Sequence, residues 1–234
     1  MLPLYSDNSV SRFPFVTILI IIGNIVVFWF QLTGPGSIGR SVLVYGMIPY
    51  DLFYDLKSAI PGRIFAWQTL FTSMFLHGGF IHLGSNMLYL WIFGRNVEDD
   101  FGHLRFFIFY ITAGIIATLA FALVFPHGTL PLVGASGAIA GVLGAYFLRF
   151  PGSRVYCLIV FFFFVRIIAL PAFIVLGLWF FIQFGASLIS ITAHEGAAGQ
   201  GGVAWISHVT GFVVGIIWTI IELRRRFLLR HHRV

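Results

Sequence analysis

Long apolar runs recur along the chain, and the short stretches between them hold nearly every charge. Six runs can be marked: Pro14–Leu32, Met74–Gly94, Phe106–Phe125, Val133–Leu148, Pro171–Ile189 and Val203–Ile221. Most approach the ~20 residues an α-helix needs to cross a hydrocarbon core. The pattern predicts an all-α fold, a polytopic membrane bundle of six transmembrane helices. The fourth run is short, so its N-terminus should begin below the membrane surface, covered by protein. The first run lacks a basic n-region and a clear small-residue cleavage site, and is expected to be retained.

Three connecting stretches matter. Residues 155–170, "VYCLIVFFFFVRIIAL", suggest a seventh span. That span would bury Arg166 in the bilayer and flip every later helix. The stretch reads instead as an interfacial lead-in to the fifth helix, which enters at Pro171. The first loop, from Thr33 to about Ser73, mixes aromatics with Asp51, Asp55 and Lys57. It reads as a segment in the outer interface with Trp67 as its anchor. The loop before the last helix, "AHEGAAGQGG", is short and glycine-rich.

Charge sets the orientation. Only 9% of the 234 residues are charged, against roughly a quarter in a soluble domain. With the N-terminus inside, eleven arginines face the cytoplasm: Arg12, Arg95, Arg105, Arg149, Arg154, Arg166, Arg224, Arg225, Arg226, Arg230 and Arg233. Only Arg40, Lys57 and Arg63 face outward. The positive-inside rule then puts both termini in the cytoplasm. The chain reads as one integral membrane domain, 1–234, with a core over 14–222 and a basic tail over 223–234. That tail is a topology anchor, so the net charge of +6 calls for no nucleic-acid partner. A lone Cys157 excludes an intramolecular disulfide and any cysteine-based metal site.

At this topology four polar side chains share one depth. His82 and Asn86 lie at i and i+4 on one face of the second helix. Ser136 opens the fourth helix, and His208 lies about five residues into the sixth. Embedded polar groups are expensive and usually face a bundle interior or a wet cavity. Taken singly, Ser136 is an ordinary helix cap, and the others are interhelical hydrogen-bonding groups. Gly137, Gly141 and Gly144 form a stripe on the fourth helix, and Gly211 and Gly215 form one on the sixth. Such stripes let backbones approach closely. If they meet, Ser136 comes within reach of His208, as an activated nucleophile requires. Unpaired N–H groups at the start of the fourth helix, with His82 and Asn86, would supply oxyanion donors. No acidic residue lies inside a run, so the expected unit is a Ser–His dyad.

"GASGAIAGVLGAY", "HGGFIHLGSNMLYLWIFG" and "SHVTGFVVG" together resemble the rhomboid family of intramembrane serine proteases, over roughly residues 14–222. The joint occurrence of GxSG, HxxxN and HxxGxxxG in this order is specific, although no one of them is. The resemblance implies a bacterial-type six-helix serine endopeptidase that cleaves transmembrane segments of other proteins. Ser136 matches the nucleophile, His208 the base, and His82 and Asn86 the oxyanion-stabilising pair. Pro171–Ile189 and about Thr192–Gly202 match the substrate gate and cap. The implied partners are transmembrane protein substrates and membrane lipids, in a bacterial inner or plasma membrane, with no metal or organic cofactor. Three positions depart from the usual pattern: Ser207 in place of alanine, Ala140 in place of an aromatic, and Trp67-Gln68 in place of Trp-Arg.

Other classes stay open. A catalytically silent relative that binds membrane clients usually lacks the serine or the histidine. A transporter would want embedded acidic residues to relay ions. A metalloprotease would need a ligand set such as HExxH, and "HEG" at His194–Glu195 lacks the second histidine.

Overall fold

The computed structural model describes residues 2–54, 60–161, 164–192 and 205–231. Asp55 and Lys57 of the first loop, and the glycine-rich loop 193–202, lie outside the described residues. The elements begin with strand β1 (Leu2–Ser6) and helices α1 (Phe15–Thr33), α2 (Ser37–Tyr45), α3 (Pro49–Tyr54) and α4 (Ala66–Thr72). Helices α5 (Phe80–Tyr89), α6 (Arg95–Phe101), α7 (His103–Val124) and α8 (Ser136–Arg149) follow. Strands β2 (Arg154–Phe161) and β3 (Phe164–Pro171) precede α9 (Ala172–Thr192) and α10 (Trp205–His231).

Among the described residues, four helices are long and apolar enough to cross a membrane: α1, α7, α9 and α10. Their outer faces carry large exposed apolar side chains such as Trp29, Leu123, Phe181 and Ile217. In water that surface would be unstable, whereas lipid tails match it. The second run starts later than its hydropathy suggests. Gly78 and Gly79 interrupt it, because glycine spends more backbone entropy in a helix than any other residue. From Phe80 the backbone stays helical to Phe101, passing through a π-turn at Leu90–Gly94.

Helix α8 is the centre of the bundle. Every residue from Gly137 to Tyr146 is buried, the signature of a helix enclosed on all sides. Its 14 residues span about 21 Å at ~1.5 Å per residue, less than the ~30 Å hydrocarbon core. Helix α1 has no side-chain cap of its own. Buried Glu98 of α6 serves instead, accepting the N–H groups of Val16 (2.9 Å) and Thr17 (2.8 Å). A carboxylate there complements the positive end of the helix dipole.

The expected all-α class is corrected by a three-stranded antiparallel sheet in the order β1-β2-β3. Residues 155–161 and 164–170, in the stretch expected as an interfacial lead-in, lie in two antiparallel strands in which Val155 pairs with Leu170 and Val160 with Val165. An apolar run broken only by Arg166 and rich in β-branched and aromatic residues suits a strand as well as a helix, and periodicity alone does not separate them. Val155 and Cys157 point into the core, while Val160 on the other face is exposed. β1 adds along β2, with Tyr5 stacked on Tyr156 at 4.3 Å between ring centroids.

Helix α10 runs on to His231, so the described part of the basic tail continues the helix. Ion pairs hold it there. Glu222 pairs with Arg105 (3.0 Å), Arg225 (2.8 Å) and Arg226 (3.2 Å). Asp100 pairs with Arg149 and with Arg226, each at 3.0 Å. The first loop folds around Arg63, which pairs with Asp51 at 2.7 Å and donates to the carbonyls of Leu43 and Gly46. Trp67 is exposed, and the Gln68 amide oxygen accepts the Phe65 N–H at the start of α4.

Candidate active site

The chain enters α8 along a fixed path. Met47 and Leu132 exchange two backbone hydrogen bonds, and Gly134 N–H donates to the Ser73 carbonyl at 2.8 Å. Gly134 has φ +124°, a conformation that side-chain-bearing residues rarely adopt. A Cβ there would also lie 2.8 Å from His82 Nε2. The glycine thus turns the chain and leaves room for the histidine, two residues before Ser136.

Ser136 is the first residue of α8, and the residue before it, Ala135, gives the helix no side-chain cap. The Ser136 Oγ lies 2.8 Å from His208 Nε2. Ser136 is half-buried and His208 buried, so the pair sits in the bundle with the hydroxyl reachable. Backbone proximity makes this possible. A Cβ on Gly211 would overlap the Gly137 carbonyl, and one on Gly144 would overlap the Phe212 carbonyl. The two glycine stripes therefore face each other across α8 and α10.

His82 and Asn86 approach the same turn from α5. The Gly78 N–H donates to His82 Nδ1 at 3.4 Å, which leaves the ring proton on Nε2, the nitrogen beside Gly134. His77, buried next to it, packs edge-on at 5.1 Å between ring centroids. His77 is itself pinned to α1, its N–H donating to Gln31 Oε1 at 3.0 Å. Asn86 is buried, and its Nδ2 donor has no partner among the described residues. A Cβ on Gly134 would lie 3.7 Å from that nitrogen. Two side-chain nitrogens thus converge on Gly134, two residues before Ser136.

Sequence reasoning missed two residues of α9. Gln183 Oε1 lies 2.7 Å from His208 Nδ1, and both side chains are buried. Trp179 lies beside the same ring at 5.8 Å between centroids, and Trp205 meets it edge-on at 6.4 Å. The available signal for Gln183 was a lone amide inside an apolar helix, which is costly there without a partner. The aromatic contacts of the His208 ring thus come from Trp179 and Trp205, and Ala140 contributes none. Ala140 lies against α10, its Cβ 3.2 Å from where a Cβ on Gly211 would be. Ser207 is also occupied: its hydroxyl donates to the Ala117 carbonyl at 3.0 Å.

A polytopic helical membrane protein with a serine–histidine contact beside two inward donors is a narrow class. The family model described as Rhomboid domain matches residues 64–225, more than half of the chain. The chain belongs to the rhomboid family. It is 41% identical over 79 residues to RHOMBOID-like protein 5 of Arabidopsis thaliana, covering 34% of this chain and 25% of that protein. To Rhomboid protease GluP of Bacillus subtilis (strain 168) it is 38% identical over 104 residues, covering 40% and 20%. To the mitochondrial Rhomboid protein 1 of Saccharomyces cerevisiae it is 40% identical over 88 residues, covering 36% and 25%. These matches span only a fifth to a quarter of the relatives' own lengths.

Proposed function

We propose that the protein is an intramembrane serine endopeptidase that cuts transmembrane segments of other membrane proteins. The observation that carries this reading is the 2.8 Å contact between Ser136 Oγ and His208 Nε2. Ser136 is the nucleophile. As its Oγ bonds to the scissile carbonyl carbon, its proton passes to His208 Nε2. Negative charge develops on the carbonyl oxygen, where His82 Nε2–H, Asn86 Nδ2–H and the first N–H groups of α8 receive it. His208 returns the proton to the departing amine. It then deprotonates the water that frees Ser136 from the acyl-enzyme.

Six spans accommodate this chemistry: the four long helices, the helix from Phe80 through the π-turn to Gly94, and the short α8. Ser11 and Arg12 bond Asp99, near the ion pairs of Arg105, Arg149, Arg225 and Arg226. That basic end is the cytoplasmic one by the positive-inside rule, with both termini there.

The test uses purified protein in liposomes with a fluorescent transmembrane-segment substrate. Wild type cleaves, Ser136→Ala and His208→Ala do not, and a metal chelator changes nothing. Cleavage surviving Ser136→Ala would sink the mechanism. Wild-type binding without cleavage, unchanged in Ser136→Ala, would favour a client-binding relative instead.

A further inference from the structure

We propose that Gln183 is a positioning residue of this site, fixing His208 in the one tautomer that can activate Ser136. The inference rests on the Ser–His reading above and extends the pair to a third member on α9.

The His208 ring is held at both nitrogens by two different helices. Gln183 Oε1 on α9 sits 2.7 Å from Nδ1, and Ser136 Oγ on α8 sits 2.8 Å from Nε2. An amide oxygen has lone pairs and no proton, so Nδ1 must be the donor. A neutral imidazole carries one N–H, and with that proton on Nδ1 the lone pair lies on Nε2. Nε2 then accepts from the Ser136 hydroxyl, as a general base must. The opposite tautomer would leave Gln183 Oε1 buried without a donor, which is unfavourable, and would leave Nε2 no lone pair to take the serine proton.

The same helix fixes the ring plane. Trp179 lies one turn before Gln183 and packs beside the imidazole at 5.8 Å, tilted by 36°. One face of α9 thus supplies both an acceptor and an apolar wall. The acceptor's chemistry also suits its place. A carboxylate at that depth would carry an expensive embedded charge. A neutral amide selects the tautomer without one, which explains how the site works with no acidic residue inside the apolar runs.

The test follows labelling of Ser136 by a fluorophosphonate, using the full chain in detergent or liposomes. In that reaction Ser136 Oγ bonds to phosphorus, fluoride leaves, and the hydroxyl proton passes to His208. Gln183→Met keeps the length and removes the acceptor. Its labelling rate and the kcat for a transmembrane-segment substrate should fall about 10- to 100-fold, as for other groups that orient a reactive residue, with KM within about twofold. Gln183→Glu restores an oxygen at the same reach and should recover most of that loss. If Gln183→Met does not yield folded protein, Gln183→Asn, which withdraws the amide by one methylene, takes its place with the same loss expected. Methionine at the wild-type rate, or methionine and glutamate equally slow, overturns the inference. Ser136→Ala separates the two levels: labelling of wild type but not Ser136→Ala upholds the Ser–His reading whatever Gln183 does. No labelling of wild type overturns both.

Discussion

A Cβ on Gly215 would overlap the carbonyl oxygen of Gly141, so α8 and α10 cross there backbone against backbone. Gly141 is equally confined: a Cβ on it would lie 2.8 Å from the Ala113 Cβ of α7 and 3.3 Å from the Gly211 carbonyl. Gly215→Val therefore has to push α10 away from α8, and His208 rides on α10. The expected cost is about 1–3 kcal/mol, at the upper end because the clash is with backbone. Fluorophosphonate labelling of Ser136 should fall with it. Gly23→Ala on α1 is the control, since nothing lies within 4 Å of a Cβ there. It should be neutral or slightly stabilising by thermal unfolding. Equal melting temperatures for the two variants would refute the packing argument.

Ser207 illustrates a structural use of a position next to the proposed base. Its hydroxyl ties α10 to the Ala117 carbonyl of α7 at 3.0 Å. Ser207→Ala should cost about 1 kcal/mol, the net worth of one such bond. It leaves the Ser136–His208 contact in place, so kcat should change by less than about threefold. A loss of activity as large as that of His208→Ala would mean that Ser207 takes part in the chemistry.

Asn86 should behave in the opposite way. Its buried Nδ2 has no partner among the described residues, an unfavourable arrangement for stability alone. Asn86→Ala is expected to leave the melting temperature unchanged or raised. The kcat should nonetheless drop about 10²- to 10³-fold, the usual effect of removing an oxyanion donor. KM should stay close to wild type, because the bond forms only as charge develops. Parallel losses of stability and activity would instead make Asn86 a packing residue.

The helical membrane class was legible in the sequence because apolar runs near 20 residues are governed by bilayer thickness rather than by tertiary detail. Ser136, His208, His82 and Asn86 could be named because each is a polar residue where lipid penalises polarity. Gln183 obeys the same rule but gave no pattern, since its partner lies 25 residues away on another helix. The sheet was hidden for a different reason. The run at 155–170 is apolar but for Arg166, and its strand character depends on pairing with Leu2–Ser6, some 150 residues earlier in the chain. Likewise, the start of α5 was set by Gly78-Gly79 and not by hydropathy.

The N-terminal segment should be sensitive to acid through Asp99. Its carboxylate accepts the Ser11 N–H and hydroxyl, each at 2.9 Å, and the Arg12 N–H at 3.0 Å. Partial burial alone would raise its pKa, but these bonds and the Arg12 charge outweigh it and hold the carboxyl below its ordinary range. A carboxyl lowered on folding stabilises the fold fully above its unfolded value, about 3.9 for aspartate. The contribution is lost as pH falls from there through the lowered value. Wild type should therefore lose melting temperature faster than Asp99→Asn as pH drops below about 4. Every other carboxylate is common to both proteins, so the difference in slope isolates Asp99. Parallel slopes would show that the Ser11 and Arg12 bonds do not contribute to stability.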